Sequence, residues 1–277
     1  MNIRSDFHVH STYCDGRDTP SEMAEQAYAL GFHTLGFSGH SADYSGLEIC
    51  MDEARAASYR REIYDLREQY RGKLRILCGL ELDYNSDMDG APYDYVIGSV
   101  HNLYANGKYR VIDHTAEDFA ALLKEHFHGS FHRLAEAYYG CVADVARKTK
   151  ADIIGHLDLI TKFQDKLQLP MDDRYLSYAY EAIHTLIPYG KPFEINVGAI
   201  TRGYRTTPYP ALELLREIYQ CGGSIIFTGD CHDRRWLGRG FADAIDLAKA
   251  CGFTEYVDWG EHGFETFHLK KRYPPIL

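Results

Sequence analysis

The stretch SDFHVHSTYCDG, residues 5–16, sets His8 and His10 one residue apart in an apolar run and follows them with Asp15. In an extended strand, residues i and i+2 face the same way, so this spacing presents two imidazoles to one point. Asp230 and His232 repeat the spacing in SIIFTGDCH, with Cys231 turned away between them. Other apolar runs also end on polar groups: His40, Glu81, His101, His156, and the pair Glu194 and Asn196. Converging imidazole nitrogens and carboxylate oxygens suit Zn, Mn or Fe better than Ca or Mg. With no thiolate pair to close a structural zinc site, the pattern points to a catalytic centre with open positions. The competing reading is a buried hydrogen-bond network, which would need several polar rings to satisfy one another with almost no apolar filler.

Such groups need a scaffold that brings strand ends together. Candidate strands are residues 5–10, 34–40, 74–83, 94–101, 152–158, 192–198, 224–232 and 254–259. Helical patterns fill the intervals at 20–30, about 52–71, 116–148, 172–187, 209–221 and 240–251, the first opening on Thr19-Pro20 and stopping at Gly31. Strands that alternate with helices imply a parallel sheet, and seven or eight such units suggest a closed α/β barrel. The polar residues fall at the C-terminal ends of the runs, the rim where barrel active sites are built.

At 277 residues, with 45% hydrophobic residues and no repeat or Pro/Gly/Ser linker, the chain reads as one domain spanning 1–277. A net charge of −10 without a Lys/Arg run disfavours an extended nucleic-acid surface and favours a small substrate. No apolar stretch is long enough to span a membrane, the N-terminal residues lack the apolar core of a signal peptide, and the expected location is the cytoplasm. The seven cysteines show no C-x-x-C pair and read as reduced. Oligomeric state is not legible at this level.

The set H8-x-H10, Asp15, His40, Glu81, His101, His156 and D230-x-H232 resembles the ligand pattern of the polymerase and histidinol phosphatase (PHP) family of metallophosphoesterases. GHLDLITKF (155–163) and FEINVGAITRG (193–203) resemble segments of its histidinol-phosphatase branch. The resemblance implies a distorted (β/α)7 barrel holding three metal ions, usually Zn, Mn or Fe. It assigns His8, His10, Glu81 and Asp230 to the first ion, with Glu81 bridging to a second completed by His101 and His156. Asp15, His40 and His232 hold the third. The implied reaction is hydrolysis of a phosphomonoester, histidinol phosphate foremost, in histidine biosynthesis. The expected chemistry is in-line attack on phosphorus by water that the cations acidify, with Glu81, Asp230 and His232 in the catalytic set. Three divalent cations against three carboxylates leave a net of about +3, which a phosphate dianion and a hydroxide would neutralise.

Arg202 is the candidate phosphate grip, because a guanidinium fork matches phosphate oxygens; Arg17, Lys162, Arg205, Arg234 and Arg235 are lesser ones. Glu194 and Asn196 are read either as contacts for a histidinol-like substrate or as supports for the ligands. Gly39 stands where many relatives carry an acidic residue, which puts in doubt how the leaving alkoxide is protonated. His128 and His132 have i,i+4 spacing, but without H-E-x-x-H they read as a helix face. The alternatives carried forward are a PHP-type phosphoesterase for a nucleotide or sugar phosphate, a non-catalytic metal-binding module, and an amidohydrolase or deaminase barrel. The last expects a carboxylated lysine at a strand end, and no suitable lysine is present.

Overall fold

A computed structural model describes residues 3–42 and 49–269. The parallel strands are β1 (Ser5–Asp6), β2 (Thr34–His40), β3 (Arg75–Asp83) and β4 (Tyr95–Ser99). A two-stranded hairpin follows, β5 (Asn102–Ala105) and β6 (Lys108–Val111). The main sheet resumes with β7 (Ile153–Ile154), β8 (Phe193–Asn196), β9 (Ile225–Thr228) and β10 (Glu255–Trp259), and β11 (Phe264–His268) ends it antiparallel to β10. Its strand order is β1-β2-β3-β4-β7-β8-β9-β10-β11.

The ring closes between β1 and β9. Val9 bridges Cys231 in parallel register, with His10 N donating to Cys231 O and Cys231 N donating to His8 O, each at 2.9 Å. One layer lower, Asp6 Oδ1 accepts from His8 N and from Gly229 N. Further down the same edge of β9 is taken by β10, through Val257 opposite Ile226. The result is a seven-stranded parallel barrel, distorted where β10 wedges in beside the closing seam.

Around it run α1 (Pro20–Ala29), α2 (Glu53–Gln69), α3 (Ala116–His126) and α4 (Phe131–Thr149), then short α5 (Gln164–Leu167), α6 (Asp173–Leu186), short α7 (Gly198–Thr201), α8 (Leu212–Gln220) and α9 (Phe241–Cys251). Their starts follow local chemistry. Thr19 and Glu22 form a capping box ahead of Pro20, and Asp52, Thr115, Ser130 and Asp172 each accept a backbone N–H at the next helix starts. The single helix expected over 116–148 is two helices. His128 and Gly129 adopt positive φ (54° and 72°), which ends α3, so His128 lies in the turn and does not share a helix face with His132.

The barrel interior is layered. On β3, Leu77, Gly79, Glu81 and Asp83 share one face, so a single strand runs from apolar base to polar rim. At the base, Phe7, Leu77, Tyr95, Ile97, Ile153, Ile226 and Val257 form one buried cluster, with Trp259 and Phe264 packed against it. Tyr95 fills the base because Gly36 and Gly79 leave room: a Cβ at either would come within 2.4 Å of its ring or hydroxyl. No helix among the described residues is long and apolar enough to cross a membrane.

Candidate active site

β2 and β3 pair along nearly their whole expected length and carry His40 and Glu81 within the ladder, whereas the other strands are shorter than expected and present their rim residues from the segments that follow them. There, nine side chains meet in four overlapping groups, each with its ligand atoms within 4.8 Å of one another. The groups are His10, Asp15, His40 and His232; His8, His10 and Asp230; His8, Glu81 and His156; and His40, Glu81 and His101. They come from six strand ends plus the loop that carries Asp15. The structure therefore brings together every residue singled out as a metal ligand.

Glu81 is the hub. Its Oε2 lies 3.1 Å from His8 Nε2 and 3.0 Å from His40 Nδ1, while Oε1 lies 2.9 Å from His156 Nε2 and 3.2 Å from His101 Nε2. Asp230 Oδ1 lies 3.3 Å from His10 Nε2, and Asp15 Oδ2 lies 3.1 Å from His232 Nε2. Asp230 has a φ of 45°, unusual for a residue with a side chain. That conformation aims its carboxylate inward while Cys231 makes the closing bridge, a local strain of the kind held at functional sites.

The cluster fits a metal centre. Buried His8 Nε2, His10 Nε2 and Glu81 Oε2 have no hydrogen-bond partner among the described residues, a costly state for side chains that nothing else engages. Electrostatics agree: burial alone would raise the carboxyls of Glu81 and Asp230, yet both are held well below the usual range, Glu81 by His8, His101 and His40, and Asp230 chiefly by Arg202 and His8. His10 is pushed down to about 3 by burial and by its neighbours His232 and His40, which keeps its lone pair available.

Outer residues set the tautomers. Glu194 Oε1 sits against His8 Nδ1 and also accepts from Thr228 Oγ1 at 2.7 Å, while its Oε2 accepts from His156 N at 2.7 Å. With the Nδ1 hydrogen directed at Glu194, His8 presents Nε2 to the centre. Asn196 Nδ2 donates to Glu194 and to Asp230 Oδ2. Both are buried beneath the ligands, which decides the open reading in favour of support over substrate contact. Asp83 does the same for His101, accepting from His101 N at 2.7 Å with Oδ2 3.4 Å from Nδ1. Asp83 was not singled out in the sequence, although it stands two residues beyond Glu81 on the same strand face. A Cβ at Gly39 would meet Met51 and Cys14, so a side chain there would have to displace Met51.

A pocket opens above the cluster, lined by the candidate ligands other than His8 and His10 and by Asp83, Asp113, Leu159, Lys162, Arg202 and Tyr204. Arg202 Nη2 donates to Asp230 Oδ2 at 2.9 Å, and Nη1 donates to Asp230 O at 3.0 Å and lies 2.6 Å from His232 Nδ1. Of the lesser basic candidates, only Lys162 lines this pocket. Arg205 is buried against Asp158 and Tyr209, and Arg17, Arg234 and Arg235 pair with Asp233, Asp18 and Glu22 outside it.

A family model described as "PHP domain" matches residues 6–198. The chain belongs to the PHP domain family. Asp230 and His232 lie beyond the matched stretch of this PHP chain, yet the closing seam returns them to its first strand. A "Probable histidinol-phosphatase" of Deinococcus radiodurans is 30% identical over 261 residues, covering 89% of this PHP chain and 93% of that protein. The "Histidinol-phosphatase" of Bacillus subtilis is 26% identical, covering 85% and 96%. Among solved structures, the histidinol phosphate phosphatase of Lactococcus lactis, complexed with zinc, L-histidinol and phosphate, superposes with a TM-score of 0.71 at 22% identity, covering 95% of this PHP chain and 99% of that one.

Proposed function

We propose that this PHP domain protein, one barrel domain over 1–277, is a metal-dependent phosphomonoesterase that hydrolyses L-histidinol phosphate to L-histidinol and phosphate. One observation carries the reading most: buried nitrogens of His8 and His10 and a buried oxygen of Glu81, none of them hydrogen-bonded among the described residues, converge under a pocket that also presents a guanidinium. The names of the relatives supply the substrate.

Three ions of the Zn, Mn or Fe type fit the donor set. His8, His10, Glu81 and Asp230 would hold the first, Glu81, His101 and His156 the second, and Asp15, His40 and His232 the third. Bound cations lower the pKa of water towards ~7 and stabilise charge on phosphoryl oxygens. The chain's own residues do the rest. Glu194 and Asp83 orient His8 and His101. His232 Nδ1 cannot both accept from Arg202 and donate to Asp230 O, 2.9 Å away. Were His232 to hold a cation through Nε2, its Nδ1 would carry the hydrogen and donate to Asp230 O, which would leave the guanidinium edge beside it for a phosphate oxygen. Asp230 holds that guanidinium in place through Nη2. Lys162, the lysine lining the pocket, is hydrogen-bonded to Asp113, so no lysine is placed as the bridging group an amidohydrolase-type centre would use.

The test is metal analysis of the purified protein combined with phosphate release from L-histidinol phosphate, a nucleoside monophosphate and a sugar phosphate. Bound metal and preference for L-histidinol phosphate are expected. A metal-loaded sample that prefers another ester shifts the reading to that substrate, and one that cleaves none refutes phosphatase chemistry.

A further inference from the structure

We propose that Asp113 is the specificity residue that accepts the ammonium group of an aminoalkyl phosphate; this rests on the phosphatase reading above. Such a substrate carries a dianion and a cation two carbons beyond the ester oxygen, so its pocket needs opposite charges on different walls. Arg202 lies on the Asp230 and His232 side. The wall beside His101 and His156 must supply the anion.

Among the described residues, elimination leaves one group. Five carboxylates among them line the pocket: Asp15, Glu81, Asp83, Asp113 and Asp230. Asp15, Glu81 and Asp230 belong to the ligand groups. Asp83 is buried and already accepts from His101 N, Asn102 Nδ2 and Asn85 N. Asp113 follows β6, with its side chain 22% exposed. Lys162 Nζ donates to its backbone oxygen at 2.6 Å and to Oδ2 at 3.2 Å. This clamp fixes the carboxylate and leaves Oδ1 without a hydrogen bond among the described residues. Burial would raise this carboxyl, but the Lys162 ammonium beside it holds it below its ordinary value, so it stays an ionised acceptor. A substrate ammonium on Oδ1 would complete an alternating row of Lys162, Asp113 and ligand charge.

The experiment compares L-histidinol phosphate with its des-amino analogue, imidazolylpropyl phosphate, on the wild-type protein and on Asp113→Asn, with metal content measured for both. Asp113→Asn should raise KM for the amino ester about 10- to 100-fold and leave the des-amino ester within about 3-fold, with metal content unchanged. Asp113→Ser should reproduce the split, and Asp113→Glu should restore part of the preference. Equal losses on both esters, or a variant that still discriminates between them, would overturn the assignment. Failure of the underlying reading is separately visible: a metal-loaded wild-type protein that cleaves neither ester refutes both, whereas one that cleaves the two equally well overturns the ammonium assignment and leaves the phosphatase reading standing.

Discussion

The rim and the base of this barrel are made by the same strands and obey opposite rules. At the base, Leu77, Tyr95, Ile97, Ile153 and Ile226 bury apolar surface, and the Tyr95 hydroxyl is satisfied by Phe7 O at 2.6 Å and Phe37 O at 3.1 Å. At the rim, His8 Nε2, His10 Nε2 and Glu81 Oε2 are buried without a hydrogen bond among the described residues. The base stabilises the ring without a ligand, whereas the rim is costly until cations reach it. A change at one end should therefore move a different observable from a change at the other.

The sharpest test is Glu81→Gln. It removes the hub charge from four histidines, so metal content and phosphate release should fall together, the latter by about three orders of magnitude or more, with the far-ultraviolet dichroism kept. Normal turnover would break the comparison at its centre. Ile226→Ala at the base should do the reverse: urea unfolding should show a loss of about 3 kcal/mol, while metal content and kcat/KM of the folded protein hold. Glu194→Gln lies between the two layers. Weakening the charge that orients His8 should lower metal affinity about 10- to 100-fold, read by chelator competition, with a smaller change in stability.

The smallest effect is expected at the outer rim turn, where Asp233 accepts from Arg235 N at 3.0 Å and pairs with its guanidinium. Those hydrogen bonds outweigh burial and hold its carboxyl down at about 2. Because this lies below the ordinary value of ~3.9, the pair contributes stability above about pH 4 and loses it as the pH falls towards 2. Asp233→Asn should cost under about 1 kcal/mol at neutral pH, a gap that narrows from pH 5 to pH 3 in urea titrations.

Much of the rim was legible in the sequence because parallel strands read as apolar runs, and a polar residue that ends such a run is conspicuous. The i,i+2 spacing of His8 and His10 gives their common face without any tertiary information, whereas Asp230 reaches the centre through a positive φ that the spacing of Asp230 and His232 does not reveal. Asp83 and Asp113 were not legible in this way, because their roles depend on which histidine or lysine the neighbouring segment brings alongside. Glu194 was visible, but only packing shows that it lies under His8 and not in the pocket. The β5–β6 hairpin does carry a local signal, Asn106-Gly107 with φ of 51° and 80°, but the runs on either side are too short and too polar to stand out as apolar segments. The break between α3 and α4 was likewise written in Gly129 and hidden by the helical pattern on either side.

The Val9–Cys231 bridge makes the first and seventh barrel strands neighbours although more than two hundred residues separate them in the chain. A polypeptide emerging from the ribosome thus carries His8 and His10 long before Asp230 and His232 exist. On the reading proposed above, the cluster would be complete only late in synthesis, after most of the barrel has been translated, and any earlier capture of metal by the first strand would have to rearrange when Asp230 and His232 arrive.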